Sequence, residues 1–132
     1  MKNVVICSST SLYKEIKEWK EKLEKDGYNV IRYPETIDTD MELEDYEHTH
    51  TEHYKKIVES DILLVLNIGK DEISGYIGPS VFAEIAFAIG LNMTLGKRIK
   101  IYYVENLPKN LSYSEELRLW EKLEWIRPWM YK

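Results

Sequence analysis

The sequence predicts a small doubly wound α/β domain, in which a parallel sheet of four to five strands carries helices on both faces. Three observations favour this fold class. Short apolar runs rich in β-branched residues alternate with longer segments of helical periodicity. Residues 62–66 are apolar throughout, as expected of a parallel strand that is covered on both faces. The chain has 132 residues, a length typical of a single domain, and shows no internal repeat or linker.

The first part of the chain predicts two strands joined by a helix. Residues 4–7 form a β-branched run, and the polar turn after them supplies an N-cap for a helix. Residues 12–25 carry apolar side chains at intervals of three and four, so they predict an amphipathic helix that Gly27 ends. Residues 28–33 predict the second strand, because a proline directly after them stops it.

The middle of the chain leads into the most apolar strand. Residues 35–47 are acidic and weakly patterned, which predicts an irregular loop. Helical periodicity resumes over about 50–59 and is followed by the strand at 62–66. The loop after that strand contains three of the six glycines, and Pro79 suits the first position of a helix running to about Asn92. That helix is apolar almost all round, so we expect it to be buried.

The last part of the chain adds a strand, a helix and a short final strand. Residues 99–104 predict the fourth strand, and Ser112 or Ser114 can cap a helix that ends near Leu123. Residues 125–129 predict a short fifth strand. With right-handed crossovers, this alternating order builds a flavodoxin-like or Rossmann-like sandwich.

Composition and charge exclude several function classes. The net charge is −5, which gives no electrostatic support for binding nucleic acid. The single cysteine allows neither an intrachain disulfide nor a cysteine-rich zinc site, and it fits a reducing, cytoplasmic setting. The first apolar run is too short for a secretory signal, and no run approaches a membrane span. We therefore expect a cytoplasmic protein with no membrane partner.

The fold class also predicts where a ligand binds. In doubly wound sheets the ligand site lies outside the carboxyl ends of the strands, where helix N-termini also point. Three segments meet there: the turn from Ser8 to Tyr13, the start of the helix near His53, and the segment 67–84. The candidate contact residues in these segments are Ser8, Ser9, Tyr13, Tyr76, Gly78 and Ser80.

Glu84 is the most informative single residue. It lies near the start of a helix made otherwise of valine, phenylalanine, alanine and isoleucine. A carboxylate in such surroundings needs a partner or a role, because an unpaired buried charge is costly. Glu84 can simply complement the helix dipole, or it can act as a nucleophile that forms a covalent glycosyl intermediate.

Three consecutive segments resemble the nucleoside 2-deoxyribosyltransferase family and the related nucleotide N-hydrolases. They are the strand at 61–66, the glycine-rich loop after it, and the helix segment Glu84-Ile85-Ala86-Phe87-Ala88. The opening Val4 to Thr10 resembles the family's first strand and its substrate-contacting turn, and the resemblance extends to about Val104. It implies that Glu84 takes the place of the family's nucleophile at the anomeric carbon. It also implies a homodimer or larger homo-oligomer, because family members complete their sites with a neighbouring chain.

Two positions depart from the pattern of typical transferases. Gly78 stands where many of them have an aspartate six residues before the nucleophile, and His53 replaces an aspartate on the helix before the third strand. Transfer between two bases, hydrolysis, and nucleotide binding without turnover therefore remain open, as does an interaction domain that uses the tryptophan-rich end of the chain. The backbone around Gly78 and Ser80 can hold a phosphate.

Three histidines, His48, His50 and His53, lie close together in sequence. Their spacing matches no motif with fixed ligand geometry, so we expect neither a metal nor another cofactor. We expect His53 to lie within reach of Glu84 as a general acid or base, since imidazole exchanges protons near neutral pH. His48 and His50 should face solvent. Cys7 ends a buried strand and is interpreted as a core residue.

Overall fold

The computed structural model describes residues 1–35, 42–70 and 72–130. Within these residues, five parallel strands form one sheet in the order β2-β1-β3-β4-β5. The strands are β1 (Asn3–Cys7), β2 (Asn29–Arg32), β3 (Ile62–Val65), β4 (Lys100–Tyr103) and β5 (Arg127–Pro128). The predicted doubly wound α/β fold is confirmed, with β3 at the centre between β1 and β4.

Four helices connect the strands in the part of the chain that the structure describes. They are α1 (Tyr13–Lys25), α2 (Leu43–Val58), α3 (Pro79–Leu95) and α4 (Ser114–Lys122). None of these helices is long and apolar enough to cross a membrane. Residues of α1 pack on one face of the sheet, whereas residues of α2, α3 and α4 pack on the other. The predicted self-association stays a prediction.

The alternation of side chains along the strands separates two hydrophobic cores. In β1, Val4 and Ile6 pack with α1, whereas Val5 and Cys7 pack on the opposite face with α2 and α3. Successive residues of a strand point to opposite faces, so this division follows directly from the sequence of β1. As a result, Cys7 is the last buried residue of β1 on the face that carries α2 and α3.

Helix α2 begins about two turns earlier than the sequence predicted. The prediction placed the helix at about 50–59 and an irregular loop at 35–47, but residues 43–47 are helical; residues 36–41 of that loop lie outside the described residues. The buried residues of α2 are His53 and Ile57, both in its second half. The first half therefore has no apolar stripe, and its periodicity gives no helical signal.

Helix α3 is the buried helix that its composition predicts. Val81, Ile85 and Ala88 are buried in the core between α3 and the sheet. Phe82 and Phe87 are half-buried and pack against the same core, and the Phe82 ring stacks on Trp120 with centroids 5.0 Å apart. Pro79 is the first residue of α3, as predicted.

Candidate functional site

A cavity of about 580 Å³ opens at the carboxyl edge of the sheet. Its volume lies in the range of about 300–1,000 Å³ that is usual for small-molecule sites. Seven of the eight predicted site residues line it: Ser8, Ser9, His53, Tyr76, Gly78, Ser80 and Glu84. The structure thus brings together the three segments that the topological rule singled out.

Tyr13 is the exception, and its predicted place at the site is wrong. Its side chain is 64% exposed and does not line the cavity. A 3₁₀ turn over Thr10–Leu12 separates β1 from α1, so Tyr13 becomes the first residue of α1. Thr10, which begins the turn, lines the cavity instead.

Glu84 lines the cavity, and the residue is only 7% exposed. Its Oε1 atom is 3.4 Å from Nε2 of His53 on α2. The predicted proximity of these two side chains is confirmed. It arises because α2 and α3 pack side by side on one face of the sheet, with the Tyr54 and Phe87 rings 5.0 Å apart between them.

Cys7 belongs to the same cluster, although sequence reasoning interpreted it only as a core residue. Its Sγ atom lies 3.3 Å from Nε2 of His53. Burial raises the pKa of the Cys7 thiol well above its usual value, and the negative charge of Glu84 raises it further. The alternation of side-chain direction along β1 could have predicted this position, because it directs Cys7 toward the helices that carry His53 and Glu84.

The three histidines are placed differently from one another. His48 is exposed, as predicted, but His50 is half-buried and lines the cavity, so its predicted solvent-facing position is wrong. Because α2 starts before both residues, His50 and His53 are three residues apart on one helical face. The His50 ring packs between Tyr46 and Tyr54, with centroids 4.1 and 6.2 Å away.

Two cationic residues line the cavity that sequence reasoning missed, Arg32 and Lys70. Arg32 donates from Nη2 to the Thr49 carbonyl at 3.3 Å, whereas its buried Nε has no hydrogen-bond partner among the described residues. Lys70 donates to Oγ of Ser9 at 3.2 Å. Arg32 is the last residue of β2, and Lys70 lies in the loop after β3. Both therefore lie at the carboxyl edge of the sheet, where ligands bind in this fold class.

A scan against protein-family models and a search of curated proteins both find no significant match for this chain. The resemblance described above therefore stays a prediction, and function must be inferred from the site.

Asn67 connects two of the loops that surround the cavity. Its side chain is 1% exposed and donates to the carbonyls of Glu105 at 2.7 Å and Gly75 at 3.4 Å. Its Oδ1 accepts from the backbone N–H groups of Val104 and Glu105 at 2.8 and 3.0 Å. This one amide holds the loop after β3 against the loop after β4, and so it supports the position of Tyr76.

Replacing Asn67 with aspartate should destabilise the fold. The carboxylate has the same shape but has no hydrogen to donate, so it would face the carbonyls of Gly75 and Glu105 as a buried charge. We expect a loss of about 2–3 kcal/mol in the free energy of unfolding, since a buried unsatisfied group costs about 1–3 kcal/mol and a charged one more. Urea unfolding of Asn67→Asp measures this loss, with Asn110→Asp as the exposed control; equal stability of the two variants would contradict the described role of Asn67.

Proposed function

We propose that this protein cleaves the N-glycosidic bond of a nucleoside or nucleotide, with Glu84 as the nucleophile. The observation that carries the proposal is the position of the Glu84 carboxylate, which is almost buried in the lining of a cavity large enough for a nucleotide. Its neighbours along α3 are mostly apolar, and its Oε1 atom lies 3.4 Å from Nε2 of His53. A positioned carboxylate of this kind is suited to attack on a sugar carbon.

The reaction begins when a Glu84 oxygen attacks the anomeric carbon. A carbon–oxygen bond forms to the enzyme as the carbon–nitrogen bond breaks, and the bonding electrons leave with the base. The departing base gains a proton, for which His53 and the Tyr76 hydroxyl are the candidate donors in the cavity. Water then hydrolyses the glycosyl ester, or a second base accepts the sugar and completes a transfer.

The polar groups of the cavity favour a substrate that carries a phosphate. Arg32 and Lys70 bring two cationic side chains to a cavity whose lining also includes the acidic Glu35, Asp45 and Glu84. The N-terminus of α3 opens toward the same space, and no side chain in the described part of the chain caps it. Free backbone N–H groups at a helix N-terminus bind anions well. A nucleoside 5′-monophosphate fits these features better than an uncharged nucleoside.

Lys70→Gln tests this preference for a phosphate. Because the variant loses a cation that would pair with the phosphate, KM for a nucleoside 5′-monophosphate should rise about tenfold, or roughly 1.4 kcal/mol. The KM for the matching nucleoside should change little. Lys97→Gln removes the same charge from an exposed position after α3 and serves as the control. An equal change in KM for both substrates would show that Lys70 does not contact a phosphate.

The proposed activity is tested by incubating the protein with deoxynucleosides and deoxynucleoside 5′-monophosphates and measuring released base by chromatography. Adding a second free base distinguishes hydrolysis from transfer. If no base is released but a nucleotide raises the melting temperature, the cavity binds nucleotides without turnover, because a ligand specific for the folded state stabilises it. The absence of both effects would leave the interaction domain as the remaining interpretation.

A further inference from the structure

We propose that Cys7, His53 and Glu84 form a binding site for a divalent cation of the Zn²⁺ class. The three residues come from β1, α2 and α3, and their ligand atoms all lie within 4.8 Å of one another. The sequence-based expectation of no metal rested on the spacing of the three histidines and did not include Cys7 or Glu84. The structure adds a thiol and a carboxylate to one of them.

The distances fit tetrahedral coordination. Typical Zn–S, Zn–N and Zn–O bonds place neighbouring tetrahedral ligands about 3.4–3.6 Å apart. Nε2 of His53 is 3.3 Å from Sγ of Cys7 and 3.4 Å from Oε1 of Glu84. The nitrogen–oxygen separation matches this range, the nitrogen–sulfur separation is about 0.2–0.3 Å shorter than its tetrahedral value, and the sulfur–oxygen separation is no more than 4.8 Å. Binding a cation therefore needs small movements of the three side chains.

The shared imidazole nitrogen also favours a cation. Nε2 of His53 contacts both Cys7 and Glu84, so a cation bound there would be within reach of all three ligand atoms. Among the described residues, Cys7 and His53 are the ones that offer a metal-ligand atom beside the Glu84 carboxylate. A cation placed between the three atoms would satisfy the nitrogen lone pair, the thiolate and the carboxylate together.

Charge and ligand type narrow the choice of cation. A thiolate and a carboxylate together neutralise a divalent charge, which lowers the cost of burying it. A ligand set of sulfur, nitrogen and oxygen suits Zn²⁺. It does not suit Mg²⁺ or Ca²⁺, which prefer oxygen ligands alone. On binding, the Cys7 thiol releases its proton to solvent. His53 and Glu84 line the cavity and Cys7 does not, so the fourth coordination position faces the cavity.

Cation binding would also inhibit the proposed reaction. This inhibition rests on the proposed function, whereas the cation site does not. A Glu84 oxygen that coordinates a cation is no longer available to attack a sugar carbon. Zn²⁺ would therefore inhibit base release, and a chelator would restore it.

Co²⁺ titration of chelator-treated protein tests the site directly. Tetrahedral Co²⁺ absorbs in the visible range, and a bound thiolate adds a charge-transfer band in the near ultraviolet. Cys7 is the only cysteine of the chain, so this band can arise from no other residue. We expect one equivalent of Co²⁺ to bind with the thiolate band and Zn²⁺ to displace it. Saturation with Co²⁺ without a thiolate band would overturn the proposal.

Ligand variants provide the second readout, by isothermal titration with Zn²⁺. Mutation of a residue that hydrogen-bonds to a metal ligand weakens metal binding by up to about 100-fold. Cys7→Ser and Glu84→Gln each change a ligand itself, so each should weaken Zn²⁺ binding by at least that factor. His48→Ala removes an exposed imidazole from the same helix and should leave the affinity unchanged. Glu84→Gln keeps the test decisive if Cys7→Ser does not fold. Equal Zn²⁺ affinity in Glu84→Gln and the original protein would overturn the assignment.

The two proposals can fail separately. Metal binding is measured without substrate, and base release is measured in excess chelator. A thiolate band without base release supports the cation site and contradicts the proposed activity. Base release in chelator without a thiolate band supports the activity and contradicts the cation site.

Discussion

Replacing Glu84 with glutamine should abolish base release while the protein remains folded. Glutamine keeps the shape of the side chain but removes the charge that the proposed attack on the anomeric carbon requires. Loss of a nucleophile that forms a covalent intermediate commonly lowers kcat by about 10⁴-fold or more. Folding stability should not fall, because burying an amide costs less than burying a charge. Chromatographic measurement of released base, together with a thermal melt, checks both parts of this prediction.

The matched control is Glu47→Gln. Glu47 is an exposed glutamate of α2, and it undergoes the same change of charge outside the lining of the cavity. Its base release should equal that of the original protein. Full activity in Glu84→Gln would rule out the nucleophile assignment, whereas loss of activity in both variants would indicate a general effect of net charge.

Gly75→Ala should have the largest effect on stability among single-methyl additions to the loops that border the cavity. Gly75 has φ +67°, and a Cβ atom there would lie 1.9 Å from the Asn106 carbonyl oxygen. The left-handed backbone alone costs an alanine roughly 1–2 kcal/mol, and the overlap forces the loops after β3 and β4 apart. We expect the free energy of unfolding to fall by more than about 2 kcal/mol in urea titrations, the sum of both costs.

Gly90→Ala is the natural control, since it adds the same methyl group inside α3. Apart from its chain neighbours and the nearby backbone of α3, no described residue has a heavy atom within 4 Å of the added Cβ atom, and the backbone is already helical. Alanine in a helix interior is favoured over glycine by roughly 0.5–1 kcal/mol, so this variant should gain stability. If Gly75→Ala were as stable as Gly90→Ala, the two loops could not be packed as described.

The fold was predictable because its signals are local. The continuous apolar run of β3, the periodicity of α1 and the proline at the start of α3 each specify an element without knowledge of the rest. The alternation of strands and helices then leaves few topologies. The beginning of α2 was not predictable in this way, because the first half of that helix has no buried residue and its buried residues come later.

The site was predicted where backbone topology decides position. Ligands bind at the carboxyl ends of the strands in this fold class, and this predicted that Ser8, Tyr76 and Glu84 share one cavity. The direction of α2 predicted that His53 lies beside Glu84. The direction of a single side chain was harder to predict. Tyr13 turns outward because a 3₁₀ turn precedes α1, and the contact of Cys7 with His53 depends on how closely β1 and α2 approach.

The length of α2 has a further consequence for how the protein responds to a ligand. Its 16 residues span about 24 Å, and the turns around Asp45 and Thr49 form a wall of the cavity while its buried anchors lie in the second half. Amide hydrogens of the first half should therefore exchange with solvent through local opening, and those of the second half only when the whole domain unfolds. A molecule held in the cavity would slow exchange in the first half selectively. Hydrogen exchange along this one helix would then report occupancy of the cavity without any chemical label on the ligand.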